Sequence, residues 1–464
     1  MGVFSVLRRQ KLNSDMNHDL THTHSRRSPP HLIIFVEFML TLVPFVAALQ
    51  PNGCPSWKSL ATELPSVAAD SPVKIDSVRQ QQAPVFSNER PTLFRERHGW
   101  CPYSERVWLA LETKGIEYDT VLIDNTGGGR PSYFSGSTPQ MRWADGRMQG
   151  ESLDLVKALD KLYPEATPLW PPEGVDTGAV NAMISAFKGT FPRSARPSSR
   201  AAFLFSWDGD ALPRATFETV LSRTDELLAE HADGPFFCGA AVSAADVAWA
   251  PFLERYAAQL PCLHDNLLPR GPDFPHLAQW FDAMETAVPS YACRVEGDAS
   301  SWRKVLSMAG YGNAGVPAKV LSRMDEAAAI EAFGTAPIAS EVWERYAASR
   351  PYVATTPAEE VAATLVRNRD DVAVDAAKRA ALGTDSTDAD IDAAMRSLAW
   401  VLMASASEEL SEAVEVLHET DRLSAVASLA LFLDDRLCCP RDMGSPAAAE
   451  LKRIAGELKR KLEE

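Results

Sequence analysis

"FRERHGWCPYSERVWLALETKG", residues 94–115, is the stretch that decides the fold. Its first residues have the alternating character of a short strand. A helix is predicted from Pro102, because the first helical position needs no backbone N–H. An apolar stripe follows at helical spacing: Val107, Trp108 and Leu111. Gly115 is predicted to end the helix, so Cys101 stands where a strand gives way to a helix.

The position of Cys101 gives its sulfur a chemical role. The first turn of a helix has unpaired backbone N–H groups and carries the positive end of the helix dipole. A thiolate there is stabilised, so we expect the pKa of Cys101 below the free value of about 8.5, with Arg97 and Arg106 adding positive potential. An accessible thiolate is a nucleophile and a reversible disulfide partner. The alternative, a small apolar residue packed in a turn, is disfavoured by the strand–Cys-Pro–helix context.

Regular elements continue after this helix. Three further strands and a second helix are predicted in "YDTVLID" (118–124), "PQMRW" (139–143), "RMQG" (147–150) and "ESLDLVKALDKLY" (151–163). This order is the thioredoxin-like arrangement, and helical patterns with a Ser-x-x-Asp capping box at 243–246 follow it. The predicted fold class is α/β plus all-α. Its predicted units are a thioredoxin-like domain at 90–165, an all-helical domain at 175–305 and an extra helical extension at 318–464 of unknown role.

Three short motifs in this order carry a family resemblance. "Cys-Pro-Tyr-Ser" follows a strand, "Thr-Pro-Gln-Met" comes next, and "Gly-Glu-Ser" opens a helix. Together they resemble the glutathione transferase superfamily, above all its cysteine-type classes: omega transferases, lambda transferases and dehydroascorbate reductases. Plant and algal transferase-like proteins with a long C-terminal extension look closer still. The resemblance covers residues 90–300.

The resemblance implies roles for the residues that match its motifs. Cys101 matches the cysteine that forms a mixed disulfide with glutathione. Pro139 matches a proline with a cis peptide bond, which presents the backbone of Thr138 to the cysteinyl part of glutathione. Glu151 and Ser152 match the pair that holds the γ-glutamyl group, and simple helix capping is the alternative for them.

Three further positions are candidates. Arg130, in "Gly-Arg-Pro-Ser-Tyr-Phe", occupies the place of an omega-type lysine that reaches the glycyl carboxylate, and arginine can bind a carboxylate bidentately. Ser104 stands where glutaredoxins often have a second cysteine, so a second glutathione must resolve the mixed disulfide. Ser104 is also the alternative nucleophile of a serine-type transferase. Tyr103 is a possible secondary site residue.

Composition excludes some classes of function. The chain has 464 residues, and its net charge of −16 argues against nucleic acid, whose phosphates need a basic face. Seven irregularly spaced cysteines show no C-x-x-C pair and no zinc spacing, so we expect neither a disulfide scaffold nor a metal. Glutathione is the expected co-substrate.

Residues 1–85 are predicted to be a targeting leader without folded structure. An apolar run, 32–49, contains Glu37 and Pro44, and its part from Phe38 to Leu49 has the length of a signal-peptide core. With the polar stretch after it, this pattern resembles the bipartite leaders of proteins imported into plastids of secondary origin. A cytoplasmic location, a secretory signal, a membrane anchor and a mispredicted start codon are the alternatives.

Two functions of different kinds are consistent with these patterns, and a third chemistry remains. The first is a glutathione-dependent thiol transferase or reductase, which acts as a thioltransferase, a dehydroascorbate reductase or a deglutathionylating enzyme. The second is a non-catalytic scaffold or ligand-binding protein, and the third is conjugation of glutathione by Ser104. The expected partners are glutathione and a small electrophile or disulfide. A homodimer and an unknown protein bound by the extension are further expectations.

Overall fold

The structure is a computed structural model, which describes residues 55–125, 130–171, 177–195, 203–208, 210–230, 233–303, 338–406 and 409–464. Its strands are β1 Lys74–Asp76, β2 Thr92–Glu96, β3 Asp119–Ile123, β4 Gln140–Arg142 and β5 Met148–Gln149. Around them lie helices α1 Trp57–Glu63, α2 Pro65–Ala68, α3 Pro102–Lys114 and α4 Ser152–Leu162. The predicted fold class and the order of elements from β2 to α4 are confirmed.

The strands form one mixed sheet in the order β1-β3-β2-β4-β5. Strands β1 and β2 both run parallel to β3, whereas β4 is antiparallel to β2 and to β5. Parallel neighbours require a crossover connection, which α3 provides between β2 and β3. The end of β2, the start of β4 and the end of β5 therefore lie side by side. They form one edge of the sheet, which is made of strand ends.

Helix α3 begins and ends as its sequence predicts. Pro102 occupies the first turn, and Gly115 ends the helix with a φ of 65°, from where its N–H reaches the carbonyl oxygens of the last turn. The left-handed backbone conformation at this position favours glycine, because glycine lacks a Cβ. Trp108 packs between two guanidinium groups, with Arg95 at 4.1 Å and Arg294 at 4.6 Å from its ring centre.

The leader predicted for residues 1–85 is wrong for its second part. Residues 55–85 contain α1, α2 and β1, and β1 is the outermost strand of the sheet, beside β3. Leu60 and Leu64 are each 1 % exposed, and the Trp57 indole N–H donates to Asp392 at 2.7 Å. This segment is ordered by contacts with the extension, which lies far along the chain. No local sequence pattern predicts these contacts. Residues 1–54, with the apolar run, lie outside the described residues. Among the residues that are described, no helix has the length and apolarity to cross a membrane.

The second unit is helical, as predicted. Its helices are α5 Gly178–Thr190, α6 Arg214–Ala229, α7 Ala244–Leu263 and α8 Pro275–Ala287, followed by a short π-helix at Tyr291–Val295. The predicted capping box at the start of α7 is present. The Asp246 carboxylate accepts hydrogen bonds from the Ser243 and Phe237 amides and from the Trp280 indole, at 2.8, 3.1 and 2.9 Å. This fully buried carboxylate ties the helix start to α8 as well as capping it.

The extension is a third helical unit that packs on the other two. Its described helices are α9 Ser340–Ala347, α10 Pro357–Lys378, α11 Asp388–Ala404, α12 Leu410–Glu419, α13 Leu423–Arg436 and α14 Ser445–Glu463. The start of α14 touches the π-helix: Ser445 donates to the Ala292 carbonyl at 3.1 Å, and a Cβ at Gly444 would lie 1.7 Å from the Cys293 carbonyl oxygen. Only glycine fits this approach. The predicted boundary at residue 318 lies outside the described residues.

Candidate functional site

The candidate residues are brought together by the register of the sheet. Phe94 pairs with Gln140, and Met141 pairs with Gln149. If these registers are continued beyond the strands, three segments lie side by side: the residues after β2, the Thr138–Pro139 bond and the start of α4. The Thr138–Pro139 peptide bond is cis, as predicted. The edge where β2, β4 and β5 meet therefore carries the candidate site.

Cys101 is the residue just before α3, and its sulfur faces the strand segment at this edge. The sulfur lies 4.0 Å from the carbonyl oxygen of Thr138. Extended backbone at Cys101 and the helical turn after it direct the Tyr103 and Ser104 amides to the sulfur. The structure therefore places Cys101 beside the Thr138–Pro139 bond, which lies 37 residues further along the chain.

The predicted exposure and acidity of Cys101 differ from the structure. The residue is only 4 % exposed, and burial raises the pKa of its thiol above the ordinary value of 9.0. The Ser104 hydroxyl and the amides of Ser104 and Tyr103 oppose this increase, as the helix start predicts, while Glu96 adds to it. Desolvation of the charged form outweighs the hydrogen bonds to it. Burial depends on tertiary packing, which the local sequence could not reveal.

The raised pKa predicts how Cys101 reacts in the absence of glutathione. Only the thiolate is alkylated, and a raised pKa means that the thiolate fraction grows with pH through and beyond 9.0. The rate of iodoacetamide labelling at Cys101 should therefore keep increasing above this pH, without a plateau near neutrality. Peptide mapping at each pH would measure it. A plateau near neutral pH would contradict the inference that burial dominates.

Arg130 lies at the same edge and is joined to Thr138 through Asn125. Arg130 donates to the Asn125 side-chain oxygen at 2.9 Å and to the Gly136 carbonyl oxygen at 2.5 Å. The Asn125 side-chain nitrogen donates to the Thr138 hydroxyl at 2.8 Å. Sequence reasoning missed Asn125, and its signal was its place just after β3, where the chain leaves the sheet. The three glycines before Arg130, residues 127–129, lie outside the described residues.

Glu151 and Ser152 start α4 beside this edge. Glu151 has a φ of 65° and a ψ of 108°, and its side chain forms no capping hydrogen bond. A non-glycine residue with such a backbone costs on the order of 1–3 kcal/mol and is found most often at functional sites. Within the described part of the chain its exposed carboxylate has no hydrogen-bond or ion-pair partner. Helix capping by the side chain, the alternative weighed above, is therefore not observed.

The remaining candidates near Cys101 face the protein interior. The Tyr103 ring packs edge-on against Phe252 of α7, with 5.7 Å between ring centres. Ser104 is 3 % exposed, and its hydroxyl has no hydrogen-bond partner among the described residues. Arg106 donates to the Ala248 carbonyl oxygen at 2.8 Å, and Arg97 pairs with Asp76 at 2.8 Å. The positive potential predicted from Arg97 and Arg106 is not among the main causes of the pKa shift of Cys101.

The extension packs against the residues that lead into Cys101. A Cβ at Gly99 would lie 3.5 Å from the ring of Pro440, and the Cys439 amide donates to Ser301 at 2.7 Å. The third unit therefore supports the segment that carries the sulfur. In the described ranges, no group of three or more acidic, histidine or cysteine side chains is placed to hold a metal.

Comparisons with known proteins match both of the first two units. The model described as "Glutathione S-transferase, N-terminal domain" matches residues 100–162, and the one described as "Glutathione S-transferase, C-terminal domain" matches residues 211–283. The crystal structure of Chlamydomonas reinhardtii dehydroascorbate reductase is 22% identical and covers 52% of this chain and 99% of its own. Its TM-score is 0.33.

Relatives in plants also match part of the chain. "Glutathione S-transferase L2, chloroplastic" of Arabidopsis thaliana is 26% identical over 51% of this chain and 77% of its own length. "Probable glutathione S-transferase DHAR1, cytosolic" of Oryza sativa subsp. japonica is 32% identical over 35% of this chain and 70% of its own. Because this second relative is matched over more than two thirds of its length, the chain belongs to the glutathione S-transferase superfamily, with lambda transferases and dehydroascorbate reductases among its relatives.

Proposed function

We propose that the chain is a glutathione-dependent thiol transferase or reductase in which Cys101 forms a mixed disulfide with glutathione. The observation that carries this proposal is the position of the Cys101 sulfur, at the start of α3 and 4.0 Å from the Thr138 carbonyl oxygen. An extended peptide bound along the Thr138 backbone would bring its own sulfur next to Cys101. Relatives named as lambda transferases and dehydroascorbate reductases support the same class of reaction.

The proposed reaction has two steps. The Cys101 thiolate attacks the glutathione sulfur of a glutathionylated substrate, so that a Cys101–glutathione disulfide forms and the substrate leaves as a thiolate. The thiolate of a second glutathione then attacks this disulfide, which yields oxidised glutathione and restores the Cys101 thiolate. A raised pKa is compatible with this chemistry, because nucleophilicity increases with the pKa of a thiol while the thiolate fraction decreases.

The surrounding residues match the groups of the tripeptide. Glu151 would bind the γ-glutamyl ammonium, while the Ser152 hydroxyl and the first amides of α4 would bind the adjoining carboxylate. The Thr138 backbone would pair with the cysteinyl residue. Arg130 would reach the glycyl carboxylate, since Asn125 and Gly136 already hold its guanidinium at the same edge.

The mixed disulfide can be trapped directly. Incubation with oxidised glutathione should add one glutathione per chain, and peptide mapping should locate it on Cys101. The matched control is Cys238→Ser, since Cys238 lies half-buried outside the site. This variant should retain the adduct in full. An adduct on another cysteine, or none after long incubation at alkaline pH, would contradict the proposal.

A non-catalytic scaffold or ligand carrier is the second candidate. Burial of Cys101 favours it, because a sulfur that is 4 % exposed meets external disulfides poorly. The trapping experiment separates the two functions. Conjugation by Ser104 has less support, since its hydroxyl is as buried as the thiol.

Location and assembly are also proposals. Relatives named as chloroplastic support import into a plastid, directed by the segment before α1. Fusion of residues 1–54 to a fluorescent reporter would test this. A homodimer, and a protein partner for the extension, remain predictions.

A further inference from the structure

A cavity lies between the edge strand β1 and the helices of the extension. Its volume is about 340 Å³, within the range of small-molecule sites. Side chains from α10, α11, α13 and α14 form an apolar wall: Val361, Leu365, Leu398, Phe432, Leu433 and Leu451. Polar groups line the rest of the cavity, from β1, the turn after it, α10, α13 and the loop before α14. The cavity is separate from the edge that carries Cys101.

The charged groups around the cavity pair off with one exception. Four cations line it, and three carboxylates stand beside them. Arg79 pairs with Asp371, Arg436 with Asp375 at 2.7 Å, and Arg441 with Asp442 at 2.7 Å. The fourth cation, Lys74, has no hydrogen-bond or ion-pair partner among the described residues. The polar side of the cavity therefore has an excess positive charge at Lys74.

Lys74 is an exposed residue of the edge strand β1, and it lines the cavity. Desolvation by nearby protein atoms, and then the guanidinium groups of Arg294 in the π-helix and Arg95 on β2, lower the pKa of its ammonium to about 7. Asp442 of the loop and Asp76 on β1 oppose this decrease. Both carboxylates are already paired with arginines, so neither serves as the partner of Lys74. An anion that entered the cavity would supply the missing partner.

We propose that this cavity binds a small amphipathic carboxylate, whose anionic head pairs with the Lys74 ammonium and whose alkyl chain lies against the apolar wall. A charged head is needed because the unpaired group is a cation. An apolar tail is needed because Val361, Leu398 and Leu451 on the wall are buried and offer no polar partner. The extension thereby carries a ligand site of its own, distinct from the proposed glutathione site.

Calorimetry of the full chain with octanoate tests the proposal, with octanol as the neutral isostere. Octanoate should bind up to about fivefold more tightly than octanol, which is the discrimination that one exposed charged contact can give. Lys74→Met should remove this preference and leave octanol binding unchanged. Lys157→Met is the matched control, because Lys157 is exposed on α4 away from the cavity. It should bind octanoate as the unmodified chain does.

The dependence on pH gives an independent readout. A bound carboxylate favours the charged form of Lys74, so octanoate affinity should be highest at about pH 6 and decrease as the pH rises through 7. Lys74→Met should abolish this slope even if its affinity is low. Leu433→Trp, which fills the cavity from its half-buried wall, should weaken octanoate and octanol alike. Equal binding of octanoate to Lys74→Met, or no binding of octanoate at all, would overturn the proposal.

Discussion

Replacing Cys101 with serine is expected to lower thiol transfer by at least roughly a thousandfold, as loss of an enzyme's nucleophile does in other systems. A serine hydroxyl can neither form a disulfide nor ionise in the neutral range, and the proposed reaction passes through a disulfide at this atom. The amides of Tyr103 and Ser104 would remain in place, so glutathione binding should persist. Turnover of hydroxyethyl disulfide by the unmodified and variant proteins measures the effect.

The same variant distinguishes the candidate chemistries. Reduction of dehydroascorbate and removal of glutathione from a phenacyl adduct should be lost together with disulfide turnover, because all three need the sulfur. Cys238→Ser should retain each activity, since it changes a thiol outside the site. Conjugation of chlorodinitrobenzene that survives in Cys101→Ser and is lost in Ser104→Ala would contradict the cysteine mechanism and favour the serine one.

The sequence predicts α3 and its surroundings because the signals there are local. Pro102 fits a first turn without an N–H, and Gly115 supplies the left-handed residue that ends the helix. The alternation of strand and helix from β2 to α4 then defines the sheet, whose register brings Thr138 beside Cys101. Each of these steps needs only neighbouring residues and the geometry of a sheet.

Features that depend on distant contacts were predicted poorly. Residues 55–68 lack a strong pattern, and they fold because Trp57 reaches Asp392 in α11, more than three hundred residues away. The acidity of Cys101 follows the same rule: the amides of α3 were predictable, whereas the burial that outweighs them comes from tertiary packing. The role of Asn125 depends on the position of Thr138 and on the side chain of Arg130.

Replacing Arg255 with methionine is expected to cost about 3–5 kcal/mol of the free energy of unfolding, the usual loss when one partner of a buried ion pair is removed. The Arg255 side chain is 1 % exposed and pairs with Glu105 at 2.7 Å and Glu254 at 3.0 Å. Its guanidinium also lies over the Trp302 ring at 3.9 Å and donates to the Trp100 carbonyl oxygen at 3.2 Å. The group therefore connects α7 to the segment just before Cys101.

Protonation of the two glutamates determines how large this loss is. Burial raises the pKa of both carboxyl groups, and the negative charge of Glu105 raises that of Glu254 further. Both carboxyl groups therefore hold a proton more tightly than ordinary glutamates do, and Arg255 neutralises the negative charge that remains on the pair. Without Arg255 that charge is buried alone. Acidic solution, which protonates Glu105, should therefore reduce the difference between the variant and the unmodified protein.

Urea unfolding at neutral and acidic pH measures both effects, and Arg223→Met is the matched control. Arg223 pairs with Glu226 at 3.0 Å, but its side chain is 46% exposed. A pair of this kind contributes at most about 1 kcal/mol. Two results would contradict the prediction: a loss of unfolding free energy in Arg255→Met no larger than in Arg223→Met, or the same loss at both pH values. Either would mean that Arg255 does not stabilise the charge of Glu105. The buried pair would then be no part of what holds the Cys101 segment on α7.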